Sequence, residues 1–117
     1  MKQTVLIVDD HAGFRACARE LLECEGFEVV GEAGDAEAAV AATRRLRPDL
    51  VLLDVQLPGI DGIQASGQIA ALNGGTAIVL VSSRDRADLA GAAADSPARG
   101  FIPKSELSGA AIRELVA

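Results

Sequence analysis

The run "LVLLD", residues 50–54, is apolar for four residues without a break and then stops on an aspartate. "TAIVLVS", residues 76–82, repeats the pattern and stops on a serine. A strand with one solvent face alternates polar and apolar residues. A strand with no polar position must be covered on both sides, as in the centre of a parallel sheet. Three more strand-length runs follow the same logic less completely: "TVLIV" (4–8), "EVVGEA" (28–33) and "GFI" (100–102). Helical patterns separate all five. Strict strand–helix alternation predicts an α/β fold, a (βα)5 doubly wound, flavodoxin-like domain. Alternation gives a five-stranded parallel sheet with helices on both faces, for which we take the strand order 2-1-3-4-5.

The helical segments carry their own start and stop signals. Phe14, Cys17, Ala18 and Leu21 recur at spacings of three and four and form one apolar stripe. Gly26 stands where a left-handed residue ends a helix. Asp35 can cap "AEAAVAATRRL" (36–46), which Pro48 stops. Asp61 and Gln64 form the pattern of a capping box for "GIQASGQIAAL" (62–72). Ser105 can cap the last helix, "ELSGAAIRELV" (106–116). The fourth helical segment, "RADLAGAAADS" (86–96), is the weakest. It offers Leu89 and mostly alanines, with Gly91 in the middle at a cost of about 1 kcal/mol relative to alanine. It should be the least firmly docked.

No linker or low-complexity tract interrupts residues 1–117, which we read as one domain. The chain has three aromatics, Phe14, Phe27 and Phe101, so its core must be built from Val, Ile, Leu and Ala. A formal net charge of −6 argues against direct nucleic-acid binding by this chain, which would need Lys and Arg on phosphates. Cys17 and Cys24 fit neither a redox nor a zinc pattern and read as small buried hydrophobes in a reducing cytosol. No run reaches membrane-spanning length, and the start lacks a secretory leader, so a cytoplasmic protein is expected.

In open parallel sheets, ligands bind beyond the carboxyl ends of the strands. The first strand ends at Asp9 and Asp10, the third at Asp54 and the fourth at Ser82 and Ser83. Lys104 follows the fifth. With strands 1 and 3 as neighbours, three carboxylates converge, flanked by a hydroxyl and an ammonium. Close anions repel, and a hard divalent cation relieves the repulsion. Oxygen-only ligands favour Mg²⁺, with Mn²⁺ as the alternative. Mg²⁺ keeps waters and leaves room for a phosphoryl group. A carboxylate can attack phosphorus, while the metal and a lysine neutralise the oxygens. His11, the sole histidine, makes no transition-metal site alone and reads as helix-start surface.

These residues make the chain resemble a CheY-like receiver domain of two-component response regulators over essentially its whole length. The motifs are "VDD" (8–10), "LLDVQLPGIDG" (52–62), "LVSS" (80–83) and "GFIPKS" (100–105). The resemblance implies that Asp54 is the phosphoacceptor. It implies a metal site of Asp10, Asp9, Asp54 and the backbone carbonyl of Gln56. Ser82 and Phe101 would be the switch pair, and Lys104 would contact the phosphoryl group. Gln56 and Arg84 would tune phosphoryl lifetime, and neither is an obvious water-activating base, so self-dephosphorylation should be slow. Such a domain is no conventional enzyme, yet it catalyses its own phosphorylation.

The implied partners are a sensor histidine kinase or phosphotransfer protein. An output protein or domain would read the face formed by the fourth helix, fifth strand and last helix, and phosphorylation-dependent dimerisation is in keeping with that role. "EVVGEA" and "ARGFIPKSEL" are similar to receivers that usually precede a LuxR-type helix-turn-helix. The chain is therefore either a stand-alone receiver or the receiver part of a transcription regulator. A pseudo-receiver would lack part of the Asp/Lys set, and this chain keeps it. Many receivers carry a cis proline after the lysine. Here Ser105 follows Lys104, so a trans bond is expected. A P-loop fails for want of a Gly-Lys dipeptide, and a dinucleotide fold for want of GxGxxG. A dehalogenase-type phosphatase fails because Gln56 stands where its second Asp would be.

Overall fold

The computed structural model describes residues 2–72, 75–83 and 94–116. Its elements are β1 (Thr4–Val8), α1 (Ala12–Cys24), β2 (Glu28–Ala33), α2 (Ala36–Leu46), β3 (Leu50–Asp54), α3 (Gly62–Leu72), β4 (Ala77–Ser82) and β5 (Gly100–Pro103). A 3₁₀ turn (Lys104–Glu106) and a C-terminal helix (Gly109–Val116) follow. All four strand pairings are parallel, in the order β2-β1-β3-β4-β5. The predicted architecture is therefore present. Residues 84–93 lie outside the described residues, and with them the expected weak fourth helix and Arg84.

The two-residue period of a strand sorts the core into two layers. Leu6, Val8, Val51, Leu53, Ile78 and Leu80 point to one face and pack with Ala39, Ala65 and Ile69 of α2 and α3. Val5, Ile7, Leu50, Leu52, Val79 and Val81 point to the other. They pack with Ala18 and Leu22 of α1, Phe27 and Ile112 of the C-terminal helix. Every residue of β3 is buried, as its unbroken apolar run requires. Each such Val, Leu or Ile side chain contributes about 1.5–3 kcal/mol by leaving water.

The caps mostly follow the sequence. Asp35 accepts a hydrogen bond from Ala38 N–H at 2.7 Å. Asp61 and Gln64 cap reciprocally, at 2.8 and 3.4 Å. Gly26 has φ +95°, the left-handed conformation that ends α1.

Two expectations are corrected. Ser105 lies inside the 3₁₀ turn. Ser108 caps the C-terminal helix instead, its Oγ accepting from Ala111 N–H at 3.0 Å. Cys17 and Cys24 are exposed rather than buried. At 100° per residue they lie about 130° around α1 from the midpoint of Ala18 and Leu22, so the sheet never covers them.

The C-terminal helix is also held from outside. Glu25, just after α1, accepts from Gly109 N–H through Oε2 at 2.7 Å. Arg113 returns the contact, donating to the Glu25 carbonyl and lying 4.7 Å over the Phe27 ring. Glu25→Ala should therefore cost about 1 kcal/mol, like the loss of any good cap. A shift of the urea midpoint without a change in slope is the measurement. An unchanged midpoint would remove Glu25 from the account.

Candidate functional site

The sheet order places the ends of β1 and β3 side by side, and that alone brings Asp9 next to Asp54. Val8 pairs with Leu53, so the residues that follow each stand side by side at the same end of the sheet. Asp9 is 0% exposed, and Asp54 is buried as well. Asp10 turns outward, with its side chain 36% exposed. Lys104, one residue past β5, reaches back over the sheet edge. Its Nζ lies 2.6 Å from Asp9 Oδ2 and 3.5 Å from Asp54 Oδ2. The contact with Asp9 is a close, buried ion pair.

Burial presses the Asp9 carboxyl upward. The Lys104 ammonium and the His11 backbone N–H more than offset it, and Asp9 titrates below its ordinary 3.8. Asp54 behaves oppositely. Burial holds its carboxyl above 3.8, and the charge of Asp9 adds to that; the Gln56 N–H and Lys104 oppose it without prevailing. The Gln56 N–H donates to Asp54 Oδ1 at 3.1 Å, which fixes the rotamer of Asp54. Ser82 is buried at the end of β4, one residue beyond Val81, the register partner of Asp54. Phe101 is half-buried in β5 against the α2/α3 side of the core. The described peptide bonds are all trans, Lys104–Ser105 included.

Three residues belong to this site that the sequence reading left out of it. Phe14 was read as core, yet its ring lies 4.4 Å beneath Lys104 Nζ, a cation–π contact that helps aim the ammonium. His11 was read as surface. It is 71% exposed, but Nδ1 lies 2.9 Å from Asp10 Oδ1 and 3.2 Å from Asp9 Oδ1. Gly62 opens α3 and donates from its N–H to the Val55 carbonyl at 2.7 Å, directly behind Asp54. A glycine at the first helical position after a capping aspartate is the one signal that could have pointed to it.

One side chain contributes to the frame from further away. Arg15 donates through Nη1 to the Asp9 carbonyl at 2.6 Å and through Nε to Glu32 at 3.1 Å. Arg19 meets the other oxygen of Glu32 at 2.7 Å. This network ties α1 to β2 just below the acidic pair.

The comparisons agree with this geometry. Residues 5–116 match the family model described as the response regulator receiver domain. The chain belongs to the response regulator receiver family. Transcriptional regulatory protein PdtaR of Mycobacterium tuberculosis is 38% identical over an alignment covering 97% of this chain and 60% of that protein. The DNA-binding response regulator MtrA of Mycobacterium leprae is 39% identical over 76% of this chain and 39% of its own length. This receiver thus spans only about two-fifths to three-fifths of these curated relatives. Among solved structures, a LuxR-family two-component response regulator from Aurantimonas sp. SI85-9A1 superposes with TM-score 0.88 at 31% identity. That match covers 99% of this chain and 86% of the other. The CheX–CheY–BeF3–Mg²⁺ complex of Borrelia burgdorferi gives TM-score 0.84 at 28% identity, covering 97% and 86%. No helix among the described residues is long and apolar enough to cross a membrane.

The donor set suits the divalent cation that receiver domains generally bind. Ligand atoms of Asp9, Asp10, His11 and Asp54 lie within 4.8 Å of one another. Three carboxylates against one ammonium leave a charge of −2, the complement of a divalent ion.

Proposed function

We propose that this receiver accepts a phosphoryl group on Asp54 from a phosphohistidine partner and carries the signal to an output protein or domain. The observation that carries the reading is the convergence of Asp9, Asp54 and Lys104 at adjoining strand ends, with Lys104 Nζ within 3.5 Å of both carboxylates. Asp9, Asp10, Asp54 and the Gln56 carbonyl would hold Mg²⁺, whose charge keeps Asp54 ionised and offsets charge on the phosphoryl oxygens. An Asp54 carboxylate oxygen attacks phosphorus in line. The new O–P bond forms as the donor's N–P bond breaks, and the imidazole leaves. Lys104, already poised beside Asp54, pairs with a phosphoryl oxygen in the product. Ser82 hydrogen-bonds another, and Phe101 follows its shift. The face around β5 and the C-terminal helix then presents a different surface to its reader.

The likeness to a CheY bound with BeF3 and Mg²⁺ supports the cation and phosphoryl reading. A cytoplasmic location suits a phosphohistidine donor. A second reading has its own support. Both named relatives are longer than this chain, and in a protein like the DNA-binding response regulator MtrA the receiver would control a DNA-binding output.

Incubation with Mg²⁺ and acetyl phosphate, followed by intact-mass measurement, tests the phosphoacceptor. The wild type should gain one phosphoryl group, and Asp54→Asn none. Chelation should abolish the gain. An adduct of equal yield in Asp54→Asn, or none in the wild type with any donor, would overturn the assignment.

A further inference from the structure

A groove of about 650 Å³ runs along α2, on the sheet face away from the C-terminal helix. Val40 and Ala41 of α2 form one apolar wall, and Pro58 and Ile60, in the loop after β3, form the other. Glu37 and Arg44 flank the apolar pair along the helix. Both are exposed, and among the described residues neither has an ion pair or a side-chain hydrogen bond. The groove's other carboxylate, Asp35, is already engaged in capping α2. At 100° per residue, Glu37, Val40, Ala41 and Arg44 fall within about 100° of the helix circumference, and the two charges stand about 10.5 Å apart along the axis. That strip is its own complement. Half a turn about an axis between Val40 and Ala41 lays a second α2 antiparallel to the first. Glu37 then meets the second copy's Arg44, Arg44 meets its Glu37, and Val40 meets its Ala41. A net charge of −6 on each copy opposes indiscriminate association. A pairing face must therefore set unlike charges against each other, and this one does so twice.

We propose that the α2 groove is a self-association surface, occupied by α2 of a second copy of this chain in an isologous, antiparallel pair. The ridge of each helix lies in the groove of the other, between α2 and the 58–60 loop. The pairing needs no phosphoryl group. It leaves the face around β5 and the C-terminal helix uncovered, so an output reader there does not compete with it. The loop it covers is the one that leaves β3 from Asp54.

Sedimentation velocity of the unphosphorylated chain, at concentrations up to about 1 mM, provides the test. The wild type should pass from monomer to dimer as concentration rises, and about 1 M salt, which screens charges beyond about 3 Å, should weaken the dimer. Glu37→Arg alone and Arg44→Glu alone each set like charges at both contacts. Each should weaken self-association by about tenfold or more, because the twofold axis counts every change twice. Mixed in equal amounts, the two variants restore both ion pairs, and they should form a heterodimer of near wild-type affinity. Its appearance also shows that both are folded. Glu37→Gln and Arg44→Gln, which only remove the attraction, should give smaller losses and serve if a reversed variant fails to fold. A wild type that stays monomeric throughout, a dimer untouched by either reversal, or reversed variants that are folded by circular dichroism yet stay apart when mixed would overturn the proposal.

Discussion

Gly62→Ala should destabilise the domain by about 2–4 kcal/mol, combining overpacking with a lost hydrogen bond, and should impair phosphorylation of whatever remains folded. A Cβ on Gly62 would lie 2.2 Å from the Asp54 carbonyl oxygen and 2.7 Å from Val55 Cα. Both are backbone atoms, so no rotamer change relieves the clash. Either the start of α3 retreats and breaks the Gly62–Val55 hydrogen bond, or the end of β3 moves and takes Asp54 with it. Gly67 is the control, because a Cβ there meets nothing within 4 Å. Gly67→Ala in the same helix should stabilise by up to about 1 kcal/mol, the helix-propensity gain alone. Urea midpoints of the two variants should therefore move in opposite directions. A Gly62→Ala midpoint equal to wild type would show that the α3–β3 junction gives way easily, and the argument would fail.

The contrast between these glycines also marks what the sequence could and could not reveal. Periodicity names the strands and helices, because the solvent pattern of a doubly wound sheet is written in every element. "LVLLD" could only be a doubly covered strand, and it is. The ends of those strands follow, so Asp9, Asp10, Asp54, Ser82 and Lys104 were available as a set. Distances across the sheet top are a different matter. Nothing in "HAGFR" says that His11 folds back onto the acidic pair or that Phe14 lies under Lys104. Both depend on how α1 tilts as it leaves β1. Nor does periodicity separate Gly62, pressed on a backbone, from Gly67, facing open space. The cysteines failed for a related reason. A stripe of residues three and four apart can be drawn on more than one side of α1, and only Ala18 and Leu22 settle which side the sheet takes.

Lys104→Met should cost the metal-free domain about 3–5 kcal/mol at pH 7, the usual penalty for leaving a buried charge without its partner. Asp9 is wholly buried, and among the described residues Lys104 is the one lysine or arginine whose head group meets its carboxylate. Asp9→Asn in the same chain removes the stranded charge, so the double variant should recover most of the loss. A coupling below about 1 kcal/mol in that double-mutant cycle would make the contact incidental. The effect should also depend on pH in a definite direction. With Lys104 present, Asp9 titrates below 3.8. Its contribution is therefore complete above the unfolded-state value near 3.8 and is lost as pH falls through the lower folded value. Asp54 has the opposite sign, because its folded value is raised. Its ionised form penalises the fold at neutral pH, and the penalty eases as the pH falls. Removing Lys104 should push Asp9 into the same behaviour as Asp54. The gap between Lys104→Met and wild type should then be widest at neutral pH and close in acid, as both carboxyls of the variant take up protons. A gap that stayed constant from pH 7 to pH 3 would mean that Lys104 stabilises through its aliphatic stem over Phe14 and not through its charge. The same cycle bears on function. The residue that balances two buried carboxylates before phosphorylation is the one proposed to balance the phosphoryl oxygens afterwards. Its stabilising contact with Asp9 must loosen as it turns to the product, so part of the pair energy measured in the cycle is an energy that phosphorylation has to overcome.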